Sequence, residues 1–470
     1  MLDEEVILRT SRNSGETATM AAAIAAICVP AFLFGGESDI GLGALIALGI
    51  LAPINIANSA ANWPTVRNGA VLKFVLALVP SFIAIVIASI GICHSVLEWS
   101  GGSGREVAKL VYKPDWPVVS AALDPIYPVT SGLASLSATA CALALYFVAT
   151  SKYVLRKVLV WGAGAAVVLA LAGLGLKYSG GSGSNGFGAN GFSLFPSIAE
   201  WSAFAIIWQG GALTAAVYSP QRFKLNSLLY SLRFWSLAGS LVLWASVMVS
   251  GAPIEIAVSS VLQAVGFSVL AADVFPSKSN LKNYRVSRLG GFNIRAKVPF
   301  AIYIAVGAVF LWAAAAGIIG CASKGTLSFD QSSKNAPTMA QIATLKADTQ
   351  SAKDARPMFG WGETSFTTIF AFYQSGDLGY TAWKSPESDL QRALVETGKA
   401  GLFLNVITPI VFAVVWICRR KISLASFVMG VSVIGIIVLG CVRTPFESAA
   451  VISSFSILLY TFFGWDSSAG

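Results

Sequence analysis

The chain has 470 residues, 55% of them hydrophobic and only 12% charged, about half the charge of an average soluble domain. Its formal net charge is +9, but the cations fall in short connections between apolar runs rather than on one face of a fold, which argues against a nucleic-acid-binding protein. Apolar runs of about 17 to 25 residues match the ~30 Å hydrocarbon thickness crossed by a helix and lack the ~10-residue alternation of a membrane β-barrel.

In chain order, the spacing predicts spans over 19–36, 41–61, 71–93, 130–150, 157–176, 199–218, 234–250, 254–273, 299–321, 401–418, 423–441 and 447–463. The expected fold is all-α: one polytopic helical membrane domain over 1–470, with about twelve transmembrane helices. A long polar loop subdomain, 322–400, separates helices nine and ten. The chain begins Met1-Leu2-Asp3-Glu4-Glu5, so the first apolar run reads as an uncleaved span rather than a signal peptide. With the N-terminus inside, nineteen of the 32 Lys and Arg fall in inner connections, and the short outer ones carry only Arg105, Lys109, Lys113, Lys177 and Arg443. That bias places both termini in the cytoplasm and the long loop outside, at the periplasmic face of a bacterial inner membrane.

Three outer connections are large. Residues 95–128, with Trp99, Trp116, Tyr127 and several prolines, read as a segment lying along the interface. Residues 178–191 are rich in Gly, Ser and Asn and read as a linker, because no strand precedes them and no Lys-Ser/Thr follows. The 322–400 loop opens as a polar stretch with one short helix over 331–354. It continues Asp354-Ala355-Arg356-Pro357-Met358-Phe359-Gly360-Trp361-Gly362, with Ser365-Phe366 and Tyr373-Gln374 behind. Its rings Phe359, Trp361, Phe366 and Tyr373 are expected to wedge the loop onto the bundle, since each large apolar side chain left in water costs about 1.5–3 kcal/mol.

The chain's six cysteines sit in or at the ends of apolar runs, with no metal or disulfide spacing, and read as small packers. The single histidine, His94, has no second histidine with which to build a relay or metal site. Glu200 and Glu255 lie near the outer ends of apolar segments, where solvation is cheap and a functional role is the lesser reading.

The order Arg356-Pro357-Met358-Phe359-Gly360-Trp361-Gly362, Glu387-Ser388, and then, nine residues on, Gly398 and Gly401 resembles the signature loop of the O-antigen ligase and O-antigen polymerase family. In that family Arg-Pro-x-Phe-Gly-x-Gly precedes a His and a small polar residue, followed by Gly-x-x-Gly. Asp389 after the pair and Glu396-Thr397-Gly398 before the next span also match. Phe195-Pro196-Ser197 before the sixth span and Thr444-Pro445-Phe446-Glu447 before the last are similar to family segments, so the resemblance covers roughly 195–470.

The resemblance implies metal-independent transfer of a glycan from undecaprenyl diphosphate to an acceptor hydroxyl on another glycan or a lipid, with no cofactor. Glu387, standing where the family has His, becomes the candidate base; in a half-buried site its basicity would rise. Arg356 offers a fork for diphosphate oxygens, and Lys324, Arg443, Asp389 and Trp361 are further candidates for contacting substrate. The plainer readings stand beside these. Glu387 is then a solvated loop charge, Arg356 an ion pair to Asp354 or Glu363, and Lys324 and Arg443 snorkelling side chains at helix ends. Ser250-Gly251-Ala252-Pro253 carries no cation where the family usually has Ser-Arg-Gly. The replaced His and Arg keep a second reading open: a non-catalytic member that binds a glycan lipid or scaffolds a polysaccharide assembly or export complex. A transporter is disfavoured by the absence of an inverted repeat.

Overall fold

The computed structural model describes residues 2–33, 39–61, 64–90, 95–102, 105–112, 126–149, 151–178, 191–218, 231–250, 253–274, 315, 339–362, 365–378, 383, 386, 388–418 and 423–466. The protein is almost entirely helical. Among the described residues, nine helices are long and apolar enough to cross a membrane. They are α1 (Leu2–Phe32), α2 (Asp39–Ala61), α3 (Pro64–Ile90), α4 (Ile126–Val148), α5 (Lys152–Tyr178), α7 (Leu232–Ser250), α8 (Pro253–Val274), α12 (Gly398–Cys418) and α13 (Leu424–Val442). Two more expected spans are helices of a different character: α6 (Ile198–Val217), and α14 (Ala449–Trp465), which is apolar but only 17 residues long. The run at 299–321 lies outside the described residues.

The helix α5 begins five residues before the expected span. Lys152, Arg156 and Lys157 belong to it, the latter two reaching over the Tyr153 ring, because long cationic side chains at a helix end can leave the hydrocarbon while the backbone stays helical.

Among the described residues the expected all-α class holds, with one short pair of strands in a connection. Within the 95–128 connection, Ser95–Gly102 (β1) pairs antiparallel with Arg105–Tyr112 (β2), from Ser95 opposite Tyr112 to Gly102 opposite Arg105. Val96, Val107 and Val111 supply β-branched residues suited to strands.

The helix α6 is the axis of the bundle. Five helices, α5, α7, α8, α13 and α14, pack around it, and it is buried along nearly its whole length. That explains its composition: a helix shielded from lipid can carry Gln209 and Ser202 inside the membrane if partners satisfy them. The Gln209 amide donates to the Ser259 carbonyl at 3.0 Å and to the Gln263 Oε1 at 2.6 Å, and accepts from the Ser259 hydroxyl at 2.6 Å. Gln263 passes the chain on to the Ser240 hydroxyl at 3.1 Å, which donates to the Leu237 carbonyl. Three helices, α6, α8 and α7, are thereby cross-linked in the interior. Trp208 donates to the Ser454 hydroxyl at 3.1 Å, tying α6 to α14. Small residues permit this closeness: a Cβ on Gly162 would strike the Trp208 ring, and one on Gly210 would strike Ser432.

Helices α3 and α12 form an outer face, joined by the Thr408 hydroxyl donating to the Ala77 carbonyl at 2.9 Å. Leu72, Leu76, Phe82, Phe403, Ile410 and Val414 are exposed there, which is the arrangement expected where lipid is the solvent. The four described cysteines, Cys28, Cys141, Cys418 and Cys441, are free thiols. One end of the bundle gathers the starts of α6, α8, α12 and α14 and the ends of α5, α7 and α13; Lys177 of α5 donates there to the Val249 carbonyl of α7 at 2.7 Å. This end carries the loop subdomain and is called the cap side below.

Replacing Gln209 with Leu removes the hub of the α6–α8–α7 network and leaves Gln263 and Ser259 short of partners. The expected cost is about 1–2 kcal/mol, read as a lowered unfolding temperature of the detergent-solubilised protein; Gln209→Glu should cost more, since it adds a buried charge.

Candidate functional site: the cap and its seat on the bundle

The described part of the loop subdomain is a small folded cap. It comprises α9 (Met339–Ala355), α10 (Phe366–Tyr373), a 3-10 turn at Gly376–Leu378, and α11 (Asp389–Glu396), which runs through Thr397 into α12. At 17 residues, α9 is more than the short helix expected of 331–354. Arg356 and Pro357 follow it, and a proline disfavours helix in the residue before it.

Two stretches distant in sequence cross at the centre of the cap. Trp361 N–H donates to the Val395 carbonyl at 2.9 Å and Gly362 N–H to the Glu396 carbonyl at 2.8 Å. In return Lys399 N–H donates to the Pro357 carbonyl at 3.0 Å and Ala400 N–H to the Met358 carbonyl at 2.9 Å. Gly360 and Gly398 sit at the crossing with φ of 65° and 64°, the left-handed region that L side chains avoid. A Cβ on either would run into the backbone of the other strand, Glu396 for Gly360 and Met358 for Gly398. The two pieces of the sequence motif, Phe359-Gly360-Trp361-Gly362 and Glu396-Thr397-Gly398, thus form one backbone clasp. Part of it bonds to the first turn of α12, so the cap is continuous with that helix.

Three of the four rings expected to wedge the loop onto the bundle, Trp361, Phe366 and Tyr373, belong to a different core. Trp361, Phe366 and Phe370 are almost fully buried, together with Leu345, Ala352, Ile369, Leu378 and Val395, in a hydrophobic core separate from that of the bundle. Trp361 donates its indole N–H to the Ala352 carbonyl at 2.8 Å, and Phe366 stacks on Phe370 at 5.0 Å between centroids. With α9 and α11 present to pack against, these rings satisfy one another, and the start of α11 meets the bundle at a polar seat.

That seat lies between α11 and the connection from α13 to α14, Arg443 to Ser448, which includes a 3-10 turn at Pro445–Glu447. Asp389 N–H donates to the Arg443 carbonyl at 2.9 Å, and Asp389 Oδ2 accepts from Phe446 N–H at 2.8 Å. Arg392 sits one turn on. Its Nε lies 3.2 Å from Glu396 Oε2 and its Nη1 3.0 Å from Glu447 Oε1. Glu396 also accepts the Phe366 N–H at 3.3 Å, at the start of α10, where the helix dipole favours a carboxylate. Arg443 Nε lies 3.6 Å from Glu255 Oε1 on α8.

The described charges here are Arg392 and Arg443 against Asp389, Glu396, Glu447 and Glu255, an acidic excess under partial burial. Burial is the main cause that pushes the Asp389 carboxyl up from 3.8 to about 7; the Phe446 N–H and Arg392 pull it down, and Glu447 and Glu396 add to the rise. Burial opposes the Arg392 charge, but Glu396, Glu447 and Asp389 outweigh it and hold that guanidinium firmly protonated. A carboxyl poised near neutrality can take or give a proton at working pH.

The sequence candidates are distributed as follows. Arg356 and Trp361 lie together, the guanidinium over the indole at 4.9 Å. Asp389 and Arg443 lie together at the seat. These two pairs stand at opposite ends of α11, separated by roughly 12 Å of helix. Glu387, Lys324, His94 and Glu363 lie outside the described residues. Glu200 and Glu255, expected to be cheaply solvated at the interface, are each only 1% exposed. Glu255 is within ion-pair distance of Arg443, and the 3-10 turn before α14 packs on α6, whose first turn holds Glu200. Arg392 was not singled out in the sequence; its only local signal is Glu396 four residues on, an ordinary helix pair. Among the described residues no cluster of three or more His, Cys, Asp or Glu has the geometry to hold a metal ion.

In comparisons with known proteins, no family model and no curated protein matches the chain.

Gly398→Ala forces a side chain into the left-handed region, costing roughly 1–2 kcal/mol, and adds a clash with the Met358 carbonyl. Limited proteolysis should cut the cap of Gly398→Ala and Gly360→Ala faster than wild type at unchanged span content by circular dichroism. Lys399→Ala, at an exposed position that takes part in the clasp only through its backbone, should behave as wild type.

Proposed function

We propose that the chain is a metal-independent glycosyltransferase of the O-antigen ligase and polymerase kind, carrying a glycan from undecaprenyl diphosphate to an acceptor hydroxyl at the outer face of a bacterial inner membrane. On this reading about twelve helices span the membrane, both termini are cytoplasmic, and the cap side faces the periplasm. The observation that supports it most is the clasp. The two sequence pieces that carry the family resemblance bond to each other, with their glycines in conformations that only glycine adopts readily, beside the membrane-embedded bundle. Glu387 would take the acceptor proton, and Arg356, Lys324, Arg443, Asp389 and Trp361 would bind donor or acceptor.

A second reading draws support from the seat itself. A diphosphate needs cations to spare, and Arg392 and Arg443 are both engaged with carboxylates. Together with Glu387 and Ser250-Gly251 in place of the family's His and Arg, this favours a non-catalytic subunit that binds a glycan lipid or supports polysaccharide-assembly proteins.

Purified protein in proteoliposomes, given lipid-linked glycan from its own host, distinguishes the two. The catalytic reading expects transfer, a fall of about 10²–10⁴ in rate for Glu387→Gln, retained activity for Glu387→His, and a raised donor KM for Arg356→Lys. No transfer, with cellular polysaccharide unchanged in Glu387→Gln, leaves only the second reading. Orientation is checked separately by cysteine labelling. Ser333→Cys should react from the periplasm and Ser279→Cys should not; the reverse pattern overturns the proposed topology.

A further inference from the structure

The cap and the bundle have separate hydrophobic cores, and the seat between α11 and the 443–448 connection is made of a few polar contacts. An apolar core holds its members by area that cannot be exposed in part without cost, whereas a handful of polar contacts at a partly wet boundary exchanges readily for water. The clasp fixes the cap rigidly to the outer turns of α12. Further down, α12 carries Pro409, which cannot donate the helical hydrogen bond at that position, one residue beyond the Thr408 that is pinned to Ala77 of α3. A stiff body, a weakened point in the helix it continues into, and polar contacts at the start of α11 are thus joined through described residues.

We propose that the cap is a lid: α9, α10, α11 and the outer half of α12 swing as one body about Pro409, and the contacts of Asp389 and Arg392 with Arg443, Phe446 and Glu447 are its latch. The lid goes beyond the transfer reading and does not depend on it. Opening uncovers the cap-side end of α13, where Arg443 faces Glu255.

The latch is sensitive to protons. The groups around Asp389 are Arg392 and Glu396 on its own helix and Glu447 on the facing turn, with Arg443 at the end of α13; the first turn of α12 adds Lys399. On α9, Asp348 accepts the Ser375 N–H and Asp354 accepts from Gln350, while Lys346 and Lys353 carry its positive charge. Latched, Asp389 keeps its proton up to about pH 7; released into water it would lose that proton near 3.8. The closed form therefore binds the proton more tightly. Closure is strongest below about pH 4, weakens as pH rises toward 7, and changes no further above it, by at most tenfold per pH unit.

The test uses the full chain in lipid nanodiscs, with its six native cysteines replaced. Nitroxide labels go on Ser351→Cys in α9 and Tyr178→Cys at the end of α5, both exposed. Pulsed electron resonance should give two distances, the longer one gaining population between pH 5 and 7 and holding from 7 to 8. Asp389→Asn should abolish the pH dependence, and Glu447→Gln should enrich the longer distance at every pH. A second label pair within the cap, Ser351→Cys with Leu390→Cys, should stay at one distance throughout. One unmoving distance in wild type and Glu447→Gln, a pH response that persists in Asp389→Asn, or a within-cap distance that broadens along with the first each overturns the lid.

Discussion

The cap depends on the crossing of two backbones at Gly360 and Gly398. Four amide hydrogen bonds join strands about 40 residues apart, and the approach is so close that neither position has room for a Cβ. Fixing that crossing sets where Trp361 enters the cap core, where Glu396 meets the start of α10, and where α11 points its first turn. It also fastens the cap to α12, so a membrane-spanning helix carries the orientation of the whole subdomain.

The bundle solves a different problem. In hydrocarbon the hydrophobic effect between helices is weak, so small residues and hydrogen bonds do the joining. The interior of α6 shows this: Gly210 admits Ser432, and Gln209 is satisfied by groups on α8. Polar side chains that would be costly facing lipid become cross-links once surrounded by helices. The seat uses the same chemistry in a wetter place, where it yields contacts that can be exchanged and a carboxyl that titrates near neutrality.

Most of the bundle was legible in the sequence, because length and apolarity are imposed by the membrane and survive in any tertiary arrangement. α6 was legible as a span despite its glutamine and glycines, while its central place was not, since nothing local says which helix the others surround. The strand pair within 95–112 was read as an interfacial segment because its aromatics and the prolines beyond it outweighed the short valine-bearing runs. The glycines of the clasp were legible as a pattern and misjudged in consequence: Trp361 and Phe366 turn inward to a core built from α9 to α11, which the sequence gives no means to weigh against the bundle. Glu200 and Glu255 were misplaced for a related reason. Their helix positions suggest the interface, but Arg443 and the 445–447 turn arrive from far along the chain. Asp389 was picked for its place beside Glu387 and Ser388, and its contact with Phe446 comes from the same distant turn.

Hydrogen exchange of single amides in the intact, lipid-embedded protein reaches the clasp most directly. Trp361, Gly362, Lys399 and Ala400 each donate across the crossing, and none of these bonds belongs to a helix or to the paired strands. The account predicts that all four exchange together and as slowly as amides of α11, because opening any one requires parting the strands. Exchange of these four at the rate of unstructured chain, with α9 and α11 still protected, would contradict it.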